Sequence, residues 1–99
     1  LPDPTCQGSL LDGNTMLFCN PATGSKGKWD GAARCKLTLR RSQDDGHTWD
    51  AGLMLNEGPA GYSDLARNAD GSVLCLFEYG EEVYRERIAV AIIAAEWAQ

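Results

Sequence analysis

Three side chains in this sequence have the types needed to act on a charged ligand: Arg34, Tyr62 and Glu78. Tyr62 sits in Gly58-Pro59-Ala60-Gly61-Tyr62-Ser63-Asp64-Leu65. Its hydroxyl is a latent nucleophile, but with an ordinary pKa of about 10 it needs a base to take the proton. Arg34 carries a planar guanidinium, which can grip a carboxylate through two parallel hydrogen bonds as a lysine cannot. Glu78 closes the apolar run Val73-Leu74-Cys75-Leu76-Phe77, where a carboxylate is costly unless it is paired. Each has a plainer alternative: a core tyrosine with a satisfied hydroxyl, a surface charge at a loop end, an exposed strand-end carboxylate. Arg40 and Arg41 are adjacent, so they face opposite sides of a strand and read as solvated strand residues.

These groups need a scaffold, and its clearest sign is Ser42-Gln43-Asp44-Asp45-Gly46-His47-Thr48-Trp49. Serine and aspartate side chains can bond the backbone of a tight turn, Gly46 can take positive φ, and Trp49 can fold its ring back over the hairpin. The segment resembles the Asp box of sialidase-like propellers, which by itself implies a β-hairpin of one blade. Asp44 and Asp45 lack the D-x-[DN]-x-[DN]-G spacing of a calcium loop and are read as turn residues, with His47 a solvated loop residue.

The rest of the chain is a succession of short β-type segments separated by Gly, Asn, Asp and Pro clusters, which makes the fold all-β. Candidate strands run near Cys6–Leu11, Thr15–Cys19, Cys35–Arg41, Ala51–Leu55, Tyr62–Arg67, Ser72–Glu78 and Arg87–Ile93. Turns fall at Asp12-Gly13-Asn14, Asp45-Gly46 and Asn68-Ala69-Asp70-Gly71. Lys36–Arg40 alternates cleanly, whereas Val73–Phe77 is continuously apolar and suits a central strand. Pro21–Ala33 reads as a long loop containing Trp29, and Ala94–Gln99 as one helical turn. Four strands to a blade give one blade over about 5–57 and a partial blade over about 60–95, too few to close a propeller.

Composition narrows the partners. The 99 residues carry a formal charge of −5 with no basic run, which argues against a nucleic-acid surface. The longest apolar run, Ile88–Ala95, is far shorter than the roughly 20 residues of a membrane helix. Cys6, Cys19, Cys35 and Cys75 show no C-x-x-C, and His47 is the only histidine, which argues against a zinc site. Cys19 and Cys75 lie in apolar runs and are read as buried thiols, with a disulfide as the alternative. The chain begins without Met or a signal-like segment and reads as a piece of a larger protein, so its compartment stays open among secreted, periplasmic and lysosomal settings.

In order, Leu1–Pro4 with Cys6–Ser9, Leu17–Pro21, Arg34–Ser42, Gly58–Leu65, Leu76–Gly80 and Arg87–Ala91 resemble successive segments of the C-terminal portion of exo-α-sialidases (neuraminidases). Cys19 stands where a serine is usual and Phe77 where a tyrosine is usual, and the 21–33 loop is longer than in many relatives. The resemblance implies a partial β-propeller, about two blades of six, and retaining hydrolysis of terminal sialic acids from glycoproteins or glycolipids, with no metal or organic cofactor. A sialic acid carries a carboxylate on its anomeric carbon, which would repel an Asp or Glu nucleophile; sialidases are the known exception that uses tyrosine. Tyr62 matches that nucleophile, Arg34 the third of three carboxylate-binding arginines, and Glu78 the glutamate that orients the first. The first two arginines, the acid/base aspartate and the glutamate that would activate Tyr62 have no match here, so the chain alone is expected to be inactive and to need the remaining blades. A trans-sialidase and a non-catalytic Asp-box carbohydrate-binding propeller are the alternatives.

Overall fold

Runs of apolar residues between turn formers give six strands in the computed structural model, which describes residues 1–4, 6–23 and 34–99. They are β1 (Ser9–Leu11), β2 (Met16–Pro21), β3 (Cys35–Ser42), β4 (Leu53–Arg67), β5 (Val73–Tyr79) and β6 (Arg87–Ile93), followed by one helical turn, α1 (Ala95–Ala98). Each strand pairs antiparallel with the next, in the order β1-β2-β3-β4-β5-β6. The fold is therefore all-β and consistent with a partial propeller. No helix among the described residues is long and apolar enough to cross a membrane.

One expectation is corrected. The segments Ala51–Leu55 and Tyr62–Arg67 are not separate strands but the two halves of β4, whose first half pairs with β3 and whose second half pairs with β5. Gly58-Pro59 looks like a break in sequence, yet Pro59 lies opposite Cys35, next to a register shift, where a residue without an N–H is tolerated. Fifteen residues of strand would run to roughly 45–50 Å if straight. The longest principal-axis extent of the chain is 35 Å, and β1 and β2 also contact β4 directly, with Ser9 and Cys19 bonded to Ser63, so the sheet curls across β4. Elsewhere the boundaries move by a few residues: β1 is shorter than Cys6–Leu11, and β2 continues through Pro21, the first residue of the expected loop. The rest of that loop, with Trp29, lies outside the described residues but for Ala22 and Thr23.

The bend in β4 folds the two halves of the sheet against each other. Leu17, Cys19, Leu37 and Leu39 from the first half and Leu65, Val73, Cys75, Phe77 and Ile93 from the second form one core. The halves also share polar contacts, since the buried Ser63 hydroxyl lies 2.8 Å from that of Ser9 and donates to the Cys19 carbonyl at 3.3 Å. Burial without such partners would cost these hydroxyls about 1–3 kcal/mol each. Cys19 and Cys75 are buried thiols with their sulfurs 3.8 Å apart. That contact and burial push the Cys19 thiol up, which keeps it protonated.

The hairpin between β3 and β4 is closed by its own side chains. Ser42 Oγ accepts from the Gly46 N–H at 2.8 Å and donates to Asp44 Oδ1 at 2.8 Å. Asp44 in turn accepts from Thr48 N–H at 2.8 Å and Thr48 Oγ1 at 2.6 Å. Gly46 takes φ +87°, and the Trp49 indole N–H donates to the Gly46 carbonyl at 3.1 Å while its ring packs near Phe18. Arg41 departs from the solvated role assigned to it. Its Nε bonds Asp50 at 2.6 Å, its Nη1 donates to the Trp97 carbonyl at 3.0 Å, and its guanidinium lies 4.1 Å from the Trp97 ring. Burial pushes the Asp50 carboxyl up, but the Arg41 backbone N–H and guanidinium outweigh it and hold it below the usual range.

Candidate functional site

The bend in β4 is also where the candidate residues meet. Between Ala60, opposite Tyr79, and Ser63, opposite Phe77, the register shifts, so β4 carries an extra residue at Gly61-Tyr62. Such a bulge removes a backbone group from the ladder and re-aims a side chain. The freed Tyr62 N–H is taken up by Glu78 Oε1 at 2.9 Å. Glu78 thus holds the bulge that presents Tyr62, whose side chain is half exposed.

Arg34 reaches the same place from the start of β3. Lys36 has φ +57° beside the register shifts of β3 against β4, and the Arg34 carbonyl accepts from Ala60 N–H at 2.9 Å. Its guanidinium carbon lies 5.6 Å from the centroid of the Tyr62 ring and 4.6 Å from that of Tyr84, while only 6% of the residue is exposed. A cation that far from water is favoured over aromatic faces, which present negative potential to it. Cys6 borders the cluster: burial pushes its thiol up, with the Arg34 charge opposing and Asp3 and Glu78 adding to the rise.

The structure brings Arg34, Tyr62 and Glu78 together. The Ser42–Trp49 hairpin lies at the other end of β3, roughly 25 Å from Arg34 at the ordinary rise per residue. Sequence reasoning missed Gly61 and Tyr84. A Cβ at position 61 would come within 2.7 Å of Glu78 Oε1 and 2.7 Å of Tyr84 Cδ2, so only glycine lets both groups close over the bulge. The signal for Tyr84 was slight: an aromatic in the acidic segment after Glu78.

A depression of about 160 Å³ borders Tyr62 on the outer face, lined also by Asp64, Leu76, Glu78 and Ile88. Pockets that enclose a small ligand usually measure about 300–1,000 Å³. This depression alone is therefore too small to enclose such a ligand. Among them no group of three or more His, Cys, Asp or Glu could hold a metal ion.

The fold is an antiparallel β-meander with a bulged strand and a polar cluster beside the bulge. Residues 2–75 match the BNR repeat-like domain, and the chain belongs to that family. It is 30% identical over 96 residues to Sialidase-4 of Mus musculus, covering 92% of this chain and 19% of that protein. It is 31% identical over 91 residues to a Sialidase of Micromonospora viridifaciens, covering 81% of this chain and 13% of the relative. The chain thus spans less than a fifth of the length of either relative.

Proposed function

We propose that this chain is the C-terminal part of a retaining exo-α-sialidase propeller, one blade over about 5–57 and a partial blade over about 60–95, and that it supplies the nucleophile Tyr62 and the carboxylate-binding Arg34. The observation that carries this reading is the Arg34 guanidinium 5.6 Å from the ring of Tyr62, with that tyrosine raised on a glycine bulge. The names of the relatives support the substrate class, sialylated glycans. The Ser42–Trp49 hairpin is an Asp box in this reading, and it stabilises its blade far from the chemistry.

Arg34 would hold the sialic acid carboxylate in a charge-assisted, two-point grip, orienting the sugar with its anomeric carbon towards Tyr62. The tyrosine oxygen would attack that carbon as its proton passes to a base contributed by the rest of the protein. The aglycone leaves with a proton supplied by an acid from the rest of the protein, and water, deprotonated by the same group, later displaces the tyrosine with net retention. A neutral phenol meets no like-charge repulsion from the substrate carboxylate. Glu78 would keep Tyr62 in place through the 2.9 Å bond to its backbone, leaving the second carboxylate oxygen for an arginine from another blade.

In the full-length protein, Tyr62→Phe removes the nucleophilic oxygen and keeps the ring over which Arg34 lies. Hydrolysis of a sialoside should fall by orders of magnitude while a sialic acid analogue still binds, whereas Arg34→Ala should weaken binding as well. Near wild-type hydrolysis by Tyr62→Phe would sink the assignment and favour a non-catalytic carbohydrate-binding propeller. Transfer of the sugar to an added acceptor in preference to water would mark a trans-sialidase.

A further inference from the structure

The strand pairing leaves Tyr84 outside any strand, in the turn between β5 and β6, and this turn is built to a defined shape. Glu86 folds back so that one carboxylate oxygen accepts the N–H groups of Glu81, Glu82 and Val83 at 2.8, 2.9 and 3.2 Å. Three successive N–H groups converging on one anion form a nest, and they hold the Glu86 carboxyl below its usual range. At its start the turn is anchored by the Gly80 N–H, which donates to the Pro59 carbonyl at 3.0 Å. A Cβ at position 80 would collide with the Val83 carbonyl and with Glu86, so the turn closes only over glycine.

What this turn delivers is an aromatic ring packed against Gly61 and set 4.6 Å from the Arg34 guanidinium, closer than the Tyr62 ring at 5.6 Å. We infer that Tyr84 is a positioning residue for Arg34: its ring face fixes the plane of the buried guanidinium, so that the N–H edge of Arg34 is presented to a ligand carboxylate in one orientation. This rests on the sialidase reading for the identity of the ligand. The ring matters here and the hydroxyl does not, because a cation over an aromatic face is attracted by the quadrupole of the ring. Without the ring, Arg34 keeps its charge but loses the nearer of the two ring faces that set the plane of its guanidinium, and any added freedom must be removed on binding.

The test uses the full-length protein and the variants Tyr84→Leu and Tyr84→Phe. The readouts are KM and kcat for a sialoside, together with binding of an unsaturated sialic acid analogue and of its methyl ester. Tyr84→Leu should raise KM by about 10- to 30-fold with kcat changed much less, the range expected for loss of a desolvated cation–π contact. It should also shrink the preference for the acid over the ester, because only the acid uses the oriented fork. Tyr84→Phe should rescue both. If Tyr84→Leu does not fold, Tyr84→Met, which fills the space with a flexible apolar chain, takes its place. An unchanged acid-over-ester preference in an otherwise active Leu or Met variant overturns the role of Tyr84 alone. A phenylalanine variant as impaired as the leucine one would overturn the ring-face argument. Wild-type protein that neither hydrolyses a sialoside nor binds the analogue overturns this inference together with the sialidase reading.

Discussion

The outer face of the second half-sheet should make the 99-residue chain associate when it is alone. On β6, Ile88, Val90 and Ile92 alternate outwards and are 72%, 55% and 75% exposed, and Leu76, opposite Val90 on β5, is 47% exposed. Together they leave the equivalent of between two and three large apolar side chains in water. At about 1.5–3 kcal/mol for each fully buried side chain, covering this face would contribute roughly 4–7 kcal/mol per molecule. Two such faces meeting give roughly 8–14 kcal/mol, comparable with the 4–15 kcal/mol that association costs in lost freedom, so weak self-association is the expected outcome. Ile88→Thr, Val90→Thr and Ile92→Thr combined should remove most of it. Threonine keeps a high strand propensity, and the three side chains contribute little to the buried core, so the sheet should persist. Sedimentation velocity across a concentration series, with circular dichroism on both chains, reads the two effects separately. A wild-type chain that stays monomeric and melts in one sharp transition would refute the reasoning, as would a triple variant that associates equally.

Two further outcomes follow from the hairpin and the core. Hydrogen bonds from the Thr48 hydroxyl and N–H, and from Ser42, lower the Asp44 carboxyl from 3.8 to about 2. Because the folded pKa lies below the unfolded one, the advantage of wild type over Asp44→Ala in thermal melts should be present above about pH 4 and vanish as pH falls towards 2; an advantage that persists below pH 2 would contradict this. In timed alkylation read by mass spectrometry, Cys6 and Cys35, which are half-buried, should be labelled in the folded chain well before the buried Cys19 and Cys75, while unfolding should equalise all four; early labelling of Cys75 would contradict the inter-sheet packing.

Much of the strand pattern was legible because local chemistry and tertiary structure agree. The Arg87–Ile93 strand falls where its short β-type run between turn formers placed it, and the final helical turn lies within Ala94–Gln99. The failures lie where tertiary pairing overrides a local signal. Ala51–Leu55 and Tyr62–Arg67 read as separate strands because Gly58-Pro59 lies between them, but pairing with β3 before it and with β5 after it makes them one strand. Arg41 looked like a solvated strand cation, since Trp97, which it clasps, lies 56 residues further on and no spacing rule connects them. Arg34, Tyr62 and Glu78 were visible as residue types and through family resemblance, but the register shift that joins Tyr62 to Glu78 depends on which residues pair across β4 and β5. A count of extra residues in a strand needs its partner, so sequence alone does not supply it.

The bulge also explains why fold and site are inseparable in this chain. Gly61 is buried in the bend that turns one half of the sheet onto the other, and the same absence of a side chain admits Glu78 and Tyr84 to within 2.7 Å of where its Cβ would be. If position 61 carried a methyl group, the strand could keep its course only by displacing both the carboxylate that holds Tyr62 and the ring that lies beside Arg34. The core residues Leu65, Val73 and Cys75 lie beyond the bulge and would stay packed. Position 61 therefore bears on the geometry of the cluster more than on the stability of the sheet, which is how a strand can serve a rigid scaffold along most of its length and a functional site at a single bend.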